Sequence, residues 1–230
     1  MPILEITNLK KSYRSPDGEM NTIIEVPDFI LEKGQQLAVK GESGLGKTTF
    51  LNLIAGILQP DSGKIVLDSH EMTGLSESER DRLRGNTIGY IFQTFNLLQG
   101  YTALENILMG MMFVHGVDHK LANSLLERVG LGDRKNYLPR SLSVGQQQRV
   151  AVARALANQP KLVLADEPTG NLDHKNALEA IKMIREVCAE ANASLLLVSH
   201  DQRVLEQFDK VVNFSEINLL NSVERKEVIV

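Results

Sequence analysis

The chain has 230 residues, 43% hydrophobic and 23% charged, enough for one large globular domain or a domain with a lobe inserted in it. Its formal net charge of −4 excludes a broad nucleic-acid footprint. Its single cysteine, Cys188, cannot staple a fold; it stands at helical spacing with Leu178, Ile181, Ile184 and Val187 and reads as a small core residue.

The first residues, Met1 to Tyr13, lack the basic-then-apolar pattern of a signal peptide. Short strands are expected at Ile3–Ile6, Thr22–Val26 and Gln36–Val39, separated by turns at Ser15-Pro16-Asp17-Gly18 and Lys33-Gly34. Tyr13 follows the first strand, where its ring can stack on an adenine, worth ~1–3 kcal/mol; a packed surface tyrosine is the competing reading.

After the third strand comes Gly41-Glu42-Ser43-Gly44-Leu45-Gly46-Lys47-Thr48-Thr49. A strand, a G-x-x-x-x-G-K-T loop and a helix predicted over Lys47–Ala55, closed by Gly56, form the context a phosphate loop requires. The glycines let successive N–H groups turn inward, and with the helix N-terminus they cradle phosphates. Lys47 brings a point charge to the β- and γ-phosphates of ATP, and the Thr48 hydroxyl can ligate Mg²⁺. The turn Asp61-Ser62-Gly63 leads into a strand at Lys64–Leu67. Arg80, Arg82 and Arg84 read as a solvated face. The strand Tyr90–Phe92 ends at Gln93, whose amide can reach both Mg²⁺ and the attacking water.

From Thr94 to Ala157 helical patterns dominate, at Ala103–Met112, Lys120–Val129 and Gly145–Ala157. The most apolar run, Ile107–Val114, is far too short for a membrane span, which needs ~20 residues. The third helix is preceded by Leu142-Ser143-Val144-Gly145-Gln146. The Ser143 hydroxyl, nearby N–H groups and helix dipole favour an anion there. Because the chain already holds phosphates with its own loop, a second anion-binding end suggests a head-to-tail pair, each subunit offering Ser143, Gly145 and Gln146 to its partner's ATP. An ordinary N-capped helix is the alternative.

Leu162–Ala165 is a continuous apolar run, as for a strand buried on both faces of a parallel sheet. It ends in Asp166, placed to hold Mg²⁺, and Glu167, placed to deprotonate water; a solvated loop end or helix cap is the bland reading of the pair. Asn171-Leu172-Asp173, a helix at Asn176–Ala189 and a buried strand at Ser194–Ser199 follow. His200 at that strand's end can bond the γ-phosphate and hold Glu167 and the water in line. His70, His115, His119 and His174 read as surface residues, and no zinc-ligand spacing is present. The stretch from about Glu216 reads as a solvated tail.

In order and spacing these motifs resemble the ATP-binding-cassette ATPases from Tyr13 to His200. The resemblance makes Tyr13 the aromatic A-loop residue and Gly41 to Thr48 the Walker A loop. Gln93 becomes the Q-loop residue, Leu142 to Gln146 the signature and Asp166 the Walker B end. Glu167 becomes the catalytic carboxylate, Asp173 a D-loop residue and His200 the switch histidine. It implies an α/β fold: a RecA-like P-loop NTPase core (1–93 and 158–230) with a small antiparallel β subdomain, and an inserted α-helical subdomain (94–157). It further implies Mg²⁺-dependent ATP hydrolysis in a head-to-tail homodimer, and a cytoplasmic chain that meets the membrane only through an integral membrane permease. Phe92-Gln93-Thr94-Phe95-Asn96-Leu97-Leu98 and Ala165-Asp166-Glu167-Pro168-Thr169-Gly170-Asn171-Leu172-Asp173 look like the branch with LolD-, MacB- and FtsE-type ATPases. Its membrane partners carry few spans and a large extracytoplasmic domain. Two functions follow from that branch: driving a lipoprotein-release or macrolide/peptide-export complex, or signalling through a membrane protein to cell-wall enzymes without transport. The signature usually reads LSGGQ, and Val144 replaces its first glycine; a β-branched residue there is expected to restrict the backbone and crowd the partner's nucleotide.

Overall fold

The computed structural model describes residues 1–220. Two long strands, β1 (Pro2–Arg14) and β2 (Met20–Glu32), pair antiparallel. β4 (Ser62–Leu67) adds to the other edge of β1, and the short β5 (His70–Glu71) closes a four-stranded sheet in the order β2-β1-β4-β5. The expected Ile3–Ile6 and Thr22–Val26 prove to be stretches in the N-terminal halves of far longer strands. Polar ends such as Lys10, Lys11 and Ser12 have little strand preference of their own, but pairing with Glu25, Ile24 and Thr22 carries them. The register passes from Lys11–Ile24 to Ser12–Thr22, which leaves Ile23 as the extra residue of a bulge.

The second sheet is parallel, β3 (Gln36–Lys40), β6 (Ile88–Ile91), β7 (Leu162–Asp166), β8 (Ser194–Ser199) and β9 (Val211–Asn213), ordered β6-β7-β8-β3-β9. Every residue of β7 and β8 is buried, and the reason is a period of two. Val163, Ala165, Leu195 and Leu197 enter one core, shared with helices α3 (Ala103–Met111), α4 (His119–Arg128), α5 (Val144–Ala155) and α6 (His174–Glu190). Leu162, Leu164, Leu196 and Val198 enter another, shared with α1 (Lys47–Ile54) and the antiparallel sheet.

In that second core the α1 ring of Phe50 is fully buried. It meets Phe29 of β2 edge-on at 5.6 Å and Phe214 at 5.6 Å. Phe50→Ala is expected to cost about 3–5 kcal/mol by opening a cavity between helix and sheets, measurable as a lower denaturant midpoint.

The remaining elements correct four expectations. Residues Glu77–Thr87 form α2, and there Arg80 is buried rather than solvated. Its Nε–H donates to the Gly56 carbonyl at 3.0 Å, and Arg84 donates to the carbonyls of Ala55 and Gly56. Both guanidinium groups therefore satisfy the C-terminal end of α1, where orphan carbonyls and the helix dipole favour cations; Arg82 stays exposed. After α7 (Gln202–Leu205), the helix α8 (Phe214–Ile217) and Asn218 are no solvated tail. Ile217 is buried, and the fully buried Asn218 accepts from the Glu25 N–H (2.8 Å) and donates to the Ile23 carbonyl (2.9 Å). The rest of the expected tail, from 221 on and including Glu224-Arg225-Lys226-Glu227, lies outside the described residues. Leu178 faces solvent on α6 while Ile181, Ile184, Val187 and Cys188 are buried, and burial pushes the Cys188 thiol up to about 12. Phe92 lies just beyond β6 and stacks on Tyr90 at 4.2 Å. The other expected helices and strands lie within about two residues of their expected positions at each end, while β5, α7 and β9 had not been expected.

Among the described residues no helix is long and apolar enough to cross a membrane.

Candidate active site

The loop between β3 and α1 is built around backbone that only glycine accepts easily. Gly46, the N-cap of α1, has φ +93°, and a Cβ there would lie 2.9 Å from Ile23 Cγ2. The bulge that frees Ile23 thus brings an apolar side chain against the start of α1. No sequence signal marks Ile23, because a bulge depends on pairing across two strands.

Over this loop opens a cavity of about 490 Å³, within the range of small-ligand sites. Tyr13 and Ile23 line it from the antiparallel sheet; Ser43, Gly44, Gly46, Lys47, Thr48 and Thr49 line it from the loop and α1. Gln93, Glu167 and His200, which follow β6, β7 and β8, complete it. Three side chains spread over more than a hundred residues of sequence meet because parallel strands all point their C-terminal ends at one edge of the sheet.

Lys47 is buried although charged. Its Nζ donates to the carbonyls of Gly41 and Glu42, both at 2.7 Å, and lies 3.4 Å from Glu167 Oε1. So Gly41 and Glu42 hold the lysine rather than line the cavity, and Leu45 packs onto the core.

Glu167 has a left-handed backbone, φ +43°, a conformation that costs a non-glycine residue of order 1 kcal/mol or more and points to function. Its carboxylate is nearly buried; Oε1 lies 2.9 Å from His200 Nδ1, and the His200 N–H reaches Oε2 at 3.4 Å. With its proton on Nδ1, the imidazole donates to Glu167 and leaves Nε2 free. Asp166 is more deeply buried, and that burial holds its carboxyl above the usual range, opposed by the Thr48 hydroxyl. Among the described residues Asp166 Oδ1 has no hydrogen-bond partner. A buried carboxylate oxygen without a partner, beside a threonine hydroxyl, supplies hard-oxygen donors suited to a small divalent cation shared with phosphates. No cluster of three or more His, Cys, Asp or Glu side chains suited to a metal occurs among the described residues, and the four other histidines are exposed.

The structure does not bring Ser143, Gly145, Gln146 or Asp173 to this cavity. Ser143 caps α5, its Oγ accepting from the Gln146 N–H at 3.3 Å while Gln146 Oε1 accepts from the Ser143 N–H at 3.0 Å. Asp173 caps α6 through the Asn176 N–H. Both caps are exposed. Val144 is the first residue of α5, with ordinary helical backbone, so the expected backbone restriction does not arise; its side chain is 46% exposed. One further link escaped the sequence: Asn171 Nδ2 donates to the Gln93 carbonyl at 2.9 Å, joining the segment before α6 to the residue after β6.

The family model described as ABC transporter matches residues 24–170, which contain the phosphate loop, Gln93, Ser143 and the Asp166-Glu167 pair. The chain belongs to the ABC transporter family. It is 41% identical over 213 residues to the lipoprotein-releasing system ATP-binding protein LolD of Shewanella oneidensis, covering 90% of this chain and 91% of the relative. The counterpart from Legionella pneumophila is 40% identical, covering 94% of this chain and 96% of the relative. Among solved structures the chain resembles the ATP-binding cassette MJ0796, a dimer in a post-hydrolysis state bound to ADP and Pi, with a TM-score of 0.83 and 32% identity. That likeness covers 91% of this chain and 93% of the other. It also resembles cbiO1 of Clostridium perfringens, part of the ABC transporter complex cbiONQ, with a TM-score of 0.80, 27% identity and coverage of 92% and 84%. As a cassette of this family the protein is an ATPase, with a P-loop core, an antiparallel β sheet and inserted helices.

Proposed function

We propose that the chain is the ATP-hydrolysing subunit of a lipoprotein-release complex, working as a head-to-tail homodimer on the cytoplasmic face of the membrane. The observation that carries this reading is the run of LolD relatives at 39–41% identity over nine-tenths of the chain or more. Residues 94–157 act as the helical unit that presents Ser143 to the partner's nucleotide. A groove near Gln93 to Glu105 receives a cytoplasmic helix of a permease with few spans and a large extracytoplasmic domain.

Tyr13 stacks on the adenine, with Ile23 giving the ring an apolar neighbour. N–H groups of the loop and the Lys47 ammonium neutralise the phosphates as negative charge shifts toward the leaving oxygen. Glu167 takes a proton from water as its oxygen bonds the γ-phosphorus; the bond to the β–γ bridging oxygen breaks, and ADP and phosphate result. His200 holds Glu167 in line. Mg²⁺, for which Thr48, Gln93 and Asp166 would be the protein ligands, supplies charge neutralisation at the β- and γ-phosphates. Ser143, Gly145, Gln146 and Asp173 act on the nucleotide held by the other subunit.

Val144 bears on that last assignment. Val144→Gly is expected to lower stability by up to about 1 kcal/mol, the cost of glycine in a helix, and to raise turnover by a small factor by removing bulk beside the partner's ATP. Steady-state ATPase assays and size-exclusion chromatography check this; unchanged turnover and unchanged ATP-driven dimerisation make the position neutral.

The reading as a whole is tested by purifying tagged Glu167→Gln protein from solubilised membranes with and without ATP-Mg²⁺. Co-purification of a few-span protein with a large external domain, together with lipoproteins, supports it. A many-span permease, a partner engaged with cell-wall enzymes, or soluble dimer alone overturns it.

A further inference from the structure

Gln148 lies just over one turn inside α5 and is fully buried. Its Nε2 donates to the Pro168 carbonyl at 2.7 Å, while its Oε1 has no hydrogen-bond partner among the described residues. Packing alone does not explain this residue: an apolar side chain of the same shape would fill the space without stranding an amide oxygen. What the amide supplies is its donor, and the donor is spent on the carbonyl of Pro168, the residue after Glu167.

That carbonyl lies one residue beyond a strained one. Glu167 has φ +43°, its N–H is held by the Val198 carbonyl at 3.1 Å, and its own carbonyl accepts from Gly170 at 3.1 Å. The β8 side of the turn is thus anchored to the sheet, and Gln148 anchors the far side to α5. Since Ser143 caps the same helix, one rigid element connects Ser143 to the backbone that aims the Glu167 carboxylate.

We propose that Gln148 is a positioning residue for hydrolysis, fastening the Glu167-Pro168 turn to the helix that carries Ser143, so that the aim of Glu167 follows the position of that helix. In the head-to-tail dimer, on whose reading this inference rests, engagement of Ser143 by the partner's nucleotide would then be felt at the subunit's own carboxylate.

The test is Gln148→Met, which keeps length and volume, deletes the donor and also removes the stranded oxygen. The expected result is a kcat about tenfold to a hundredfold lower, the scale of a small misplacement of a reacting group, with KM for ATP within about twofold and only a modest fall in thermal midpoint from the Pro168 carbonyl left without its donor. Added to Glu167→Gln, the change is expected to lower the residual rate no further, because it acts through that carboxylate. ATP-dependent dimerisation of the double variant, read by size exclusion, is expected to persist. Wild-type kcat in Gln148→Met, an equal loss in both backgrounds, or loss confined to KM or to stability overturns the proposal. Normal turnover in Glu167→Gln alone overturns instead the base role of Glu167 on which it stands.

Discussion

Glu167→Gln protein is expected to bind ATP and to hydrolyse it about 10²–10⁴-fold more slowly, the usual contribution of a positioned general base. Glutamine keeps the size of the side chain and an oxygen that can still accept from His200 Nδ1, now 2.9 Å from Glu167 Oε1, so the site's shape is retained. What disappears is a group that can take a proton from water. The substitution also removes a negative charge 3.4 Å from Lys47 Nζ, which frees the ammonium for the phosphates and favours the ATP-bound state. Phosphate release measured beside size-exclusion chromatography in ATP-Mg²⁺ checks both halves, with accumulation of dimer expected. A variant that turns over at the normal rate removes Glu167 from the base role.

Lys47→Ala is expected to lower turnover by about 10²–10³-fold, the loss typical of one preorganised charge-stabilising group, and, unlike Glu167→Gln, to lose ATP affinity as well. The lysine has two tasks that alanine cannot perform. Its Nζ holds the Gly41 and Glu42 carbonyls at 2.7 Å, which keeps the loop closed on itself, and it places a buried positive charge next to Glu167. Without it the cavity keeps the Glu167 carboxylate with no lysine facing it, an environment hostile to a polyphosphate. Equilibrium binding of a fluorescent ATP analogue separates the variants: retained binding in Glu167→Gln and weakened binding in Lys47→Ala. Equal affinity in both contradicts the role given to Lys47.

The motifs were legible because each is local. The glycines and Lys47-Thr48 of the phosphate loop need only a strand before and a helix after, and a continuous apolar run such as Leu162–Ala165 is what a strand buried on two faces requires. What stayed hidden depends on partners distant in the chain. Arg80 and Arg84 looked solvated because their acceptors are carbonyls at the end of α1, more than twenty residues away. Ile217 and Asn218 looked like tail because what buries them includes β2, almost two hundred residues earlier. Ile23 entered the site through a register shift that only the pairing of β1 with β2 creates.

By itself, then, the sequence determined the family, the kinds of chemical group available and the order in which the chain supplies them, since motif spacing and hydrophobic period are properties of neighbouring residues. Only the tertiary structure decided how those groups are aimed. The left-handed turn at Glu167, its contact with His200 and Lys47, and the tie from Gln148 to Pro168 come from parallel strands converging at one edge of a sheet and from a helix packed across it. Such distances are set by packing between elements, and no local pattern encodes them.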